Sequence, residues 1–233
     1  MASPSFRFKH FEVYHDQCAM KVGTDGVLLG SWVDVQASRR VLDVGAGSGL
    51  IALIIAQRSK AQIVGVEINA SAYQQASANF NRSPWSSRML MKHADFKDAY
   101  FESFDLIVSN PPYFRQSLKA PVLDRCQARH DVELSYKDLI SKVAFLLVEG
   151  GRFAVVMPFE NASYFEALCC EQMLFLSRFC AVSTVQGHLP KRVLLEFSNV
   201  RGEIERTHLD LCTIDGNRSK AFSMLTAELY LDT

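Results

Sequence analysis

The sequence predicts an α/β fold, a mostly parallel sheet with helices on both faces, built as one domain. Three observations carry that prediction. Apolar stretches such as Arg40 to Val44 and Phe104 to Val108 read as strands buried on both faces, the pattern of a parallel sheet. These strands alternate with helix-length segments, and such alternation requires right-handed crossovers between parallel neighbours. The 233 residues contain no internal repeat and no low-complexity linker, and that length is enough for one large core. Within the single domain, residues 1–23 are expected to form a hairpin, 24–200 the core and 201–233 a C-terminal extension.

In chain order, Phe6 to Tyr14 alternates rings with polar side chains and predicts a short strand. His15 to Gln17 is a turn, and Cys18 to Val22 is the expected return strand of a hairpin. Thr24 or Asp25 caps a helix through Trp32. Arg40 to Val44 is the first core strand, Gly45-Ala-Gly-Ser-Gly49 the turn, and Leu50 to Gln57 a helix. Gln62 to Val66 is the second core strand, ended by Glu67, and a helix capped by Asn69 or Ser71 runs to Asn81. Arg88 to Lys92 is the third strand and Phe104 to Val108 the fourth. Tyr136 to Val148 places Leu139, Ile140, Val143, Ala144 and Leu147 on one helical face and stops at Gly150-Gly151. Arg152 to Met157 is the fifth strand, Ala162 to Glu171 a helix, and Phe175 to Val185 with Arg192 to Val200 a pair of hairpin strands. The tail holds a weak strand near Leu209 and an amphipathic helix from Ala221 to Tyr230.

Hydrophobic residues make up 48% of the chain and charged residues 21%, the balance of a globular protein. No apolar run reaches membrane-spanning length, and Met1 to His10 lacks a signal-peptide core, so the cytoplasm is expected. The six cysteines (Cys18, Cys126, Cys169, Cys170, Cys180, Cys212) show neither a C-x-x-C pair nor a histidine at zinc-site spacing. Reduced thiols and no metal are therefore expected. The net charge of +0 argues against a large phosphate footprint but leaves room for local basic clusters. One runs through Arg115, Lys119, Arg125 and Arg129 against only Asp124; another is Arg7, Lys9 and His10. A monomer is expected.

Two stretches carry chemistry. The first is the glycine loop. From Gly45 the third position is Gly47, but the sixth is Leu50, so the dinucleotide spacing fails; no Gly-Lys-Ser/Thr follows either. Asp43 places a carboxylate at the strand end, which repels a pyrophosphate and suits an ammonium. Glu67 ends the next strand, where a carboxylate can accept from both hydroxyls of a ribose. Asp95-Phe96 ends the third and offers an acceptor for an adenine amine beside a ring. Each residue alone fits an ordinary cap or turn. Together, at successive strand ends where open α/β sheets bind ligands, they describe S-adenosylmethionine. The second stretch is Ser109-Asn110-Pro111-Pro112-Tyr113. Its two prolines end the preceding strand and leave a rigid corner bearing the Asn110 amide, the Pro111 carbonyl and the Tyr113 ring. Two acceptors over a ring face can hold a planar primary amine.

Asp43 to Gly49, Glu67, Asp95 and Asn110-Pro-Pro-Tyr113 together resemble the class I S-adenosylmethionine-dependent methyltransferases of the amino-methylating branch, over about Val41 to Phe197. Within it, Lys21-Val-Gly-Thr-Asp-Gly-Val-Leu-Leu-Gly30, Ala128-Arg129-His130 and Leu134-Ser-Tyr136 look like the bacterial enzymes that methylate N6 of the adenine 3′ of the anticodon in a valine tRNA. The resemblance implies a Rossmann-like, seven-stranded sheet with an antiparallel last strand, the S-adenosyl-L-methionine cofactor and a tRNA substrate. It also implies that Asp43, Gly45, Glu67, Asp95 and Asn110 line the cofactor site with Thr24 nearby; Gly47, Gly49 and Phe96 complete the expected set. Asn110, Pro111 and Tyr113 are the expected catalytic residues, and Arg115, Lys119 and Arg129 the expected substrate contacts.

The corner's chemistry needs no strong base. An aromatic exocyclic amine is a poor nucleophile because its lone pair is delocalised. Two acceptors turn the nitrogen towards tetrahedral geometry, and the rest is alignment. The target base has to be unstacked to reach the corner, which an anticodon loop makes cheap. The same corner fits a protein glutamine amide, or an adenine in ribosomal RNA or DNA. The short hairpin before the core, where a larger helical domain is typical, counts against the glutamine alternative, and the missing large target-recognition domain makes DNA a weaker expectation. A binding module without turnover is disfavoured by the intact loop and corner.

Overall fold

The computed structural model describes residues 3–18, 20–112 and 135–231. At the N-terminus, β1 (Ser5–Arg7) and β2 (Glu12–Tyr14) pair antiparallel as a separate two-stranded sheet. The hairpin thus lies inside the stretch expected to be one strand, and Cys18 to Val22 carries no strand among its described residues. The reason is aromatic. Phe8 N–H donates to Phe11 O across the turn at 2.8 Å, and the two rings stack 4.6 Å apart, so a reversal there buries both on one side. Phe6 and Phe8 also meet the Tyr230 ring at 6.1 and 5.9 Å, and Lys9 N–H donates to Leu229 O, which seals the hairpin to the tail.

Helix α1 (Thr24–Trp32) forms where expected, but its N-cap is Gly23, with no side-chain cap bond; Asp25 instead accepts from Arg192 Nε at 2.9 Å. Gly26 and Gly30, one turn apart, let α1 lie close on α2 (Leu50–Arg58): a Cβ at Gly30 would stand 3.0 Å from Ile54. The main sheet contains β3 (Arg40–Val44), β4 (Gln62–Glu67), β5 (Met89–His93) and β6 (Phe104–Ser109). Its other half is β7 (Leu147–Pro158), β8 (Phe175–Val185), β9 (Arg192–Ser198) and β10 (Glu205–Cys212). Their spatial order is β10-β8-β9-β7-β6-β3-β4-β5, and β9 alone of these runs antiparallel to its neighbours. Helices α3 (Ala70–Arg82), α4 (Tyr136–Leu146), α5 (Ala162–Glu171) and α6 (Lys220–Leu225) complete the α-helices of the described residues.

Among the described residues the sheet has eight strands, one more than the seven expected. The weak strand near Leu209 is β10, which adds parallel to β8 and covers what would otherwise be a bare hydrogen-bonding edge. Gly150-Gly151 also plays a different part from the one expected. Helix α4 ends at Leu146, and the glycines sit in β7 at an irregularity where the register with β6 shifts between Phe104 and Leu106. Apolar side chains fill both faces of the sheet. One cluster joins the hairpin, α1 and α2 through residues such as Phe8, Leu28 and Ile54; the other joins α4 and α5 through Ile140, Phe153 and Phe165.

Candidate active site

Strands β3, β4, β5 and β6 are parallel and nearly in step, with Val44 opposite both Val66 and Ser109, and Glu67 opposite His93. Their C-terminal ends therefore open on one edge. The residues that follow, Gly45 and Gly47, Ala94 to Phe96, and Asn110 to Pro112, line one cavity of about 310 Å³ together with Glu67. That volume is within the usual range for a small-molecule site.

The glycine loop is held by its backbone. Gly45 and Ala46 N–H both donate to Val66 O, at 3.0 and 3.1 Å, and Gly49 N–H donates to Ala46 O at 2.8 Å. Gly45 and Gly47 have φ of 70° and 55°, which an L side chain adopts only with strain, and a Cβ on either would meet nothing within 4 Å. The space above them is open for a ligand to approach the backbone. Glu67 is fixed from two sides: its Oε2 accepts from Gly47 N–H and its Oε1 from Asn69 N–H, both at 2.9 Å. Each oxygen keeps further acceptor capacity on the cavity side. Asp95 borders the cavity while its Oδ1 accepts from Lys97 N–H at 2.9 Å. Phe96 borders it too, although its ring is buried 5.9 Å from Phe101, in the core.

Asp43 lies elsewhere than a direct ammonium contact would require. It is fully buried beneath the loop and does not line the cavity. Its Oδ2 accepts from Ala52 N–H at 3.1 Å, and its Oδ1 has no hydrogen-bond partner among the described residues. Burial pushes its pKa up to about 7; the Ala52 bond opposes this and the Glu67 charge adds to it. Gly49 is the left-handed N-cap of α2 and is also off the cavity wall, packed against Phe80. Thr24 is exposed on the first turn of α1 and does not line the cavity. Asn110, half-buried, and Pro111, buried, both border it. Ser109 Oγ donates to Val44 O at 2.9 Å, so the strand beneath the corner is tied to the strand beneath the loop. Tyr113, Arg115, Lys119 and Arg129 lie outside the described residues, as do Arg125 and His130.

Several lining residues were not singled out from sequence. Ile68, 52% exposed, supplies an apolar wall next to Glu67; an isoleucine in a turn after an acidic strand end is the signal that could have found it. Cys18 and Met20 reach the cavity from the N-terminal segment. Burial, with the charges of Glu67 and Asp16, holds the Cys18 thiol up at about 11, so it stays protonated. That segment is fastened by helix α3. Buried Gln75 accepts from Gln17 N–H at 2.9 Å. Buried Asn79 accepts from Tyr14 N–H at 3.1 Å and donates to Tyr14 O and to Ser48 O, both at 2.8 Å. One carboxamide thus joins the hairpin to the glycine loop. The cavity combines an apolar slot, strand-end carboxylates and approachable glycine backbone, which fits a ligand with an adenine, a ribose and a charged tail. Among the described residues, no group of three His, Cys, Asp or Glu side chains could hold a metal, and no helix is long and apolar enough to cross a membrane.

Comparison with known proteins agrees with this geometry. Residues 17–169 match the family model described as methyltransferase small domain. Curated relatives from Bacteroides fragilis and Bacteroides thetaiotaomicron, 44% and 45% identical, each cover 99% of this chain and are covered 99% by it. A relative from Shigella boydii is 41% identical over 97% of this chain and 94% of its own length. All three bear the name tRNA1(Val) (adenine(37)-N6)-methyltransferase. Among solved structures, a predicted O-methyltransferase from Agrobacterium tumefaciens superposes with a TM-score of 0.69 over 88% of this chain and 96% of its own, at 19% identity. A class I S-adenosylmethionine-dependent methyltransferase from Listeria monocytogenes gives 0.56 over 87% and 65%, at 12% identity. At those identities the two structures speak for the fold alone. The chain belongs to the methyltransferase small-domain family and, within it, to the group whose full-length relatives carry the tRNA1(Val) (adenine(37)-N6)-methyltransferase name.

Proposed function

We propose that this chain transfers a methyl group from S-adenosylmethionine to the exocyclic N6 of adenine 37 beside the anticodon of a valine tRNA. The observation that carries the reading is that Asn110 and Pro111 border the same cavity as Glu67 and the glycine loop. Identity of 44% and 45% over 99% of both chains with relatives of that name supports the choice of substrate.

The bound cofactor supplies a methyl group activated by its sulfonium. Everything else falls to the chain's own residues. Gly45 and Gly47 admit the ligand to the backbone. Glu67, held by two N–H donors, accepts from the ribose hydroxyls, and Asp95 accepts from the adenine amine. Asp43 supports the loop from below. On the acceptor side, Asn110 Oδ1 and the Pro111 carbonyl each take one N–H of the target amine, which frees its lone pair from the ring. Tyr113 stacks on the base, contributing about 1–3 kcal/mol. No side chain is required as a base, because the methylated amine loses its proton readily. The chain works as a single-domain monomer in the cytoplasm.

The test uses unmodified valine tRNA and labelled cofactor, with nucleosides separated and identified by mass spectrometry. N6-methyladenosine at position 37 is expected. Asn110→Ala is expected to lower turnover at least 100-fold, roughly the loss of one well-placed transition-state contact, while calorimetry shows cofactor affinity within about threefold of wild type. Transfer that survives the substitution would refute the role of the corner.

A further inference from the structure

Asn110 marks a boundary on the C-terminal edge of the sheet. To one side, β3, β4 and β5 end in the residues of the cofactor cavity. To the other, β7, β9 and β8 continue past it. Ser109 pairs with Val155, and β7 runs on to Pro158. Pro158 pairs with Arg192 and Arg192 with Val182, beyond which β8 runs on to Val185. At about 3.3 Å per residue, this wall rises roughly 10 Å beyond the level of Ser109 at β7 and roughly 20 Å at the tip of β8.

The crest of the wall is rigid. Ser183 Oγ donates to His188 O at 2.8 Å, Lys191 N–H to Val182 O at 2.9 Å, and Gln186 N–H to Cys212 O at 2.9 Å. Phe159 N–H donates to Lys191 O at 3.2 Å, and Arg192 grips Asp25 on α1. This fixed loop nevertheless holds Leu189 86% exposed and Lys191 exposed two residues on, while Phe159, bonded through its N–H to Lys191 O, is 38% exposed with its ring edge-on to Phe179 at 6.3 Å. The other charged or titratable groups of the crest are His188, Glu160 and the Arg192–Asp25 pair. A leucine locked in water contributes nothing to this chain's own core, and a lysine next to it offers a phosphate contact.

The cofactor occupies the near side of Asn110, so an acceptor held in a long polymer has to lie along the far side, against this wall. We propose that the crest formed by Phe159, Leu189 and Lys191 is the docking surface for the RNA stem that flanks the target base. Lys191 meets a phosphate, and Leu189 and Phe159 pack on the sugar and base edge beside it. This rests on the reading that the substrate is RNA.

The experiment measures steady-state methylation of an unmodified valine tRNA transcript, and its binding by fluorescence anisotropy, over a series of salt concentrations. Wild type is compared with Lys191→Ala and Leu189→Ser, and thermal melts verify that both variants fold. Lys191→Ala is expected to raise KM for tRNA about fivefold and to reduce the salt slope of binding by about 1. Leu189→Ser is expected to raise KM about as much with the slope unchanged. KM for the cofactor stays at the wild-type value in both. Folded variants that keep the wild-type KM for tRNA would overturn the crest alone. A wild-type protein that neither binds nor methylates tRNA would overturn the crest together with the reading beneath it.

Discussion

Asp43 is the buried group whose perturbation has the clearest magnitude. Its carboxyl is fully buried, with one oxygen bonded to Ala52 N–H and the other without a partner among the described residues, and its pKa is raised from 3.8 to about 7. Between those two values the folded chain keeps a proton that the unfolded chain has released. Stability from this group is therefore complete below pH 3.8 and is lost as pH rises towards 7. At 1.36 kcal/mol per tenfold, the whole span amounts to about 4 kcal/mol, of which about 2.5 kcal/mol falls between pH 5 and pH 8. Asp43→Asn preserves the volume and the acceptor for Ala52, but cannot ionise. Urea unfolding of both proteins, without cofactor so that ligand binding does not contribute, is measured from pH 5 to pH 8. The stability of the variant relative to wild type is expected to rise by about 2.5 kcal/mol across that range, a difference in which titrations common to both proteins cancel. Parallel curves that stay within about 0.5 kcal/mol of a constant offset would show that Asp43 is ionised in the folded protein throughout.

Two further outcomes follow from the same packing. Gly49→Ala forces a Cβ to within 2.6 Å of Phe80 at φ 81°; a loss of about 2–4 kcal/mol is expected from left-handed strain plus overpacking, read from the urea midpoint. Asn79→Ala removes the three hydrogen bonds that join Tyr14 to Ser48; about 3 kcal/mol of stability is expected to go, with KM for the cofactor rising more than kcat falls. An unchanged cofactor KM in a folded Asn79→Ala protein would sever the hairpin from the function of the loop.

The middle of the chain was legible because its strands are buried on both faces and punctuated by glycine, asparagine or proline. Arg40–Val44 and Ala162–Glu171 form at their expected limits, and Asn69 caps its helix by accepting from Ala72 N–H. The acidic strand ends converge because parallel strands share one C-terminal edge, a rule that needs no partner to be known. Legibility failed where a residue's role depends on distant contacts. Ring alternation in Phe6 to Tyr14 looks like a strand until Phe8 and Phe11 are seen to stack across a turn. Gly150-Gly151 reads as a helix stop until the neighbouring strand reveals a bulge. Asp43 looks exposed to ligand in one dimension and lies under the loop in three. Gln75 and Asn79 resemble solvent-facing residues of a helix, yet both are buried and bonded to the N-terminal segment, far away in sequence.

The aromatic seam between Phe6, Phe8 and Tyr230 closes a loop that takes in the whole main sheet. Lys9 N–H donates to Leu229 O across the same seam, a contact local in space and remote in sequence. A pairing so distant in sequence closes at least entropic cost once the elements between have packed. Removing the Tyr230 ring therefore loosens a hairpin that lies far away in sequence.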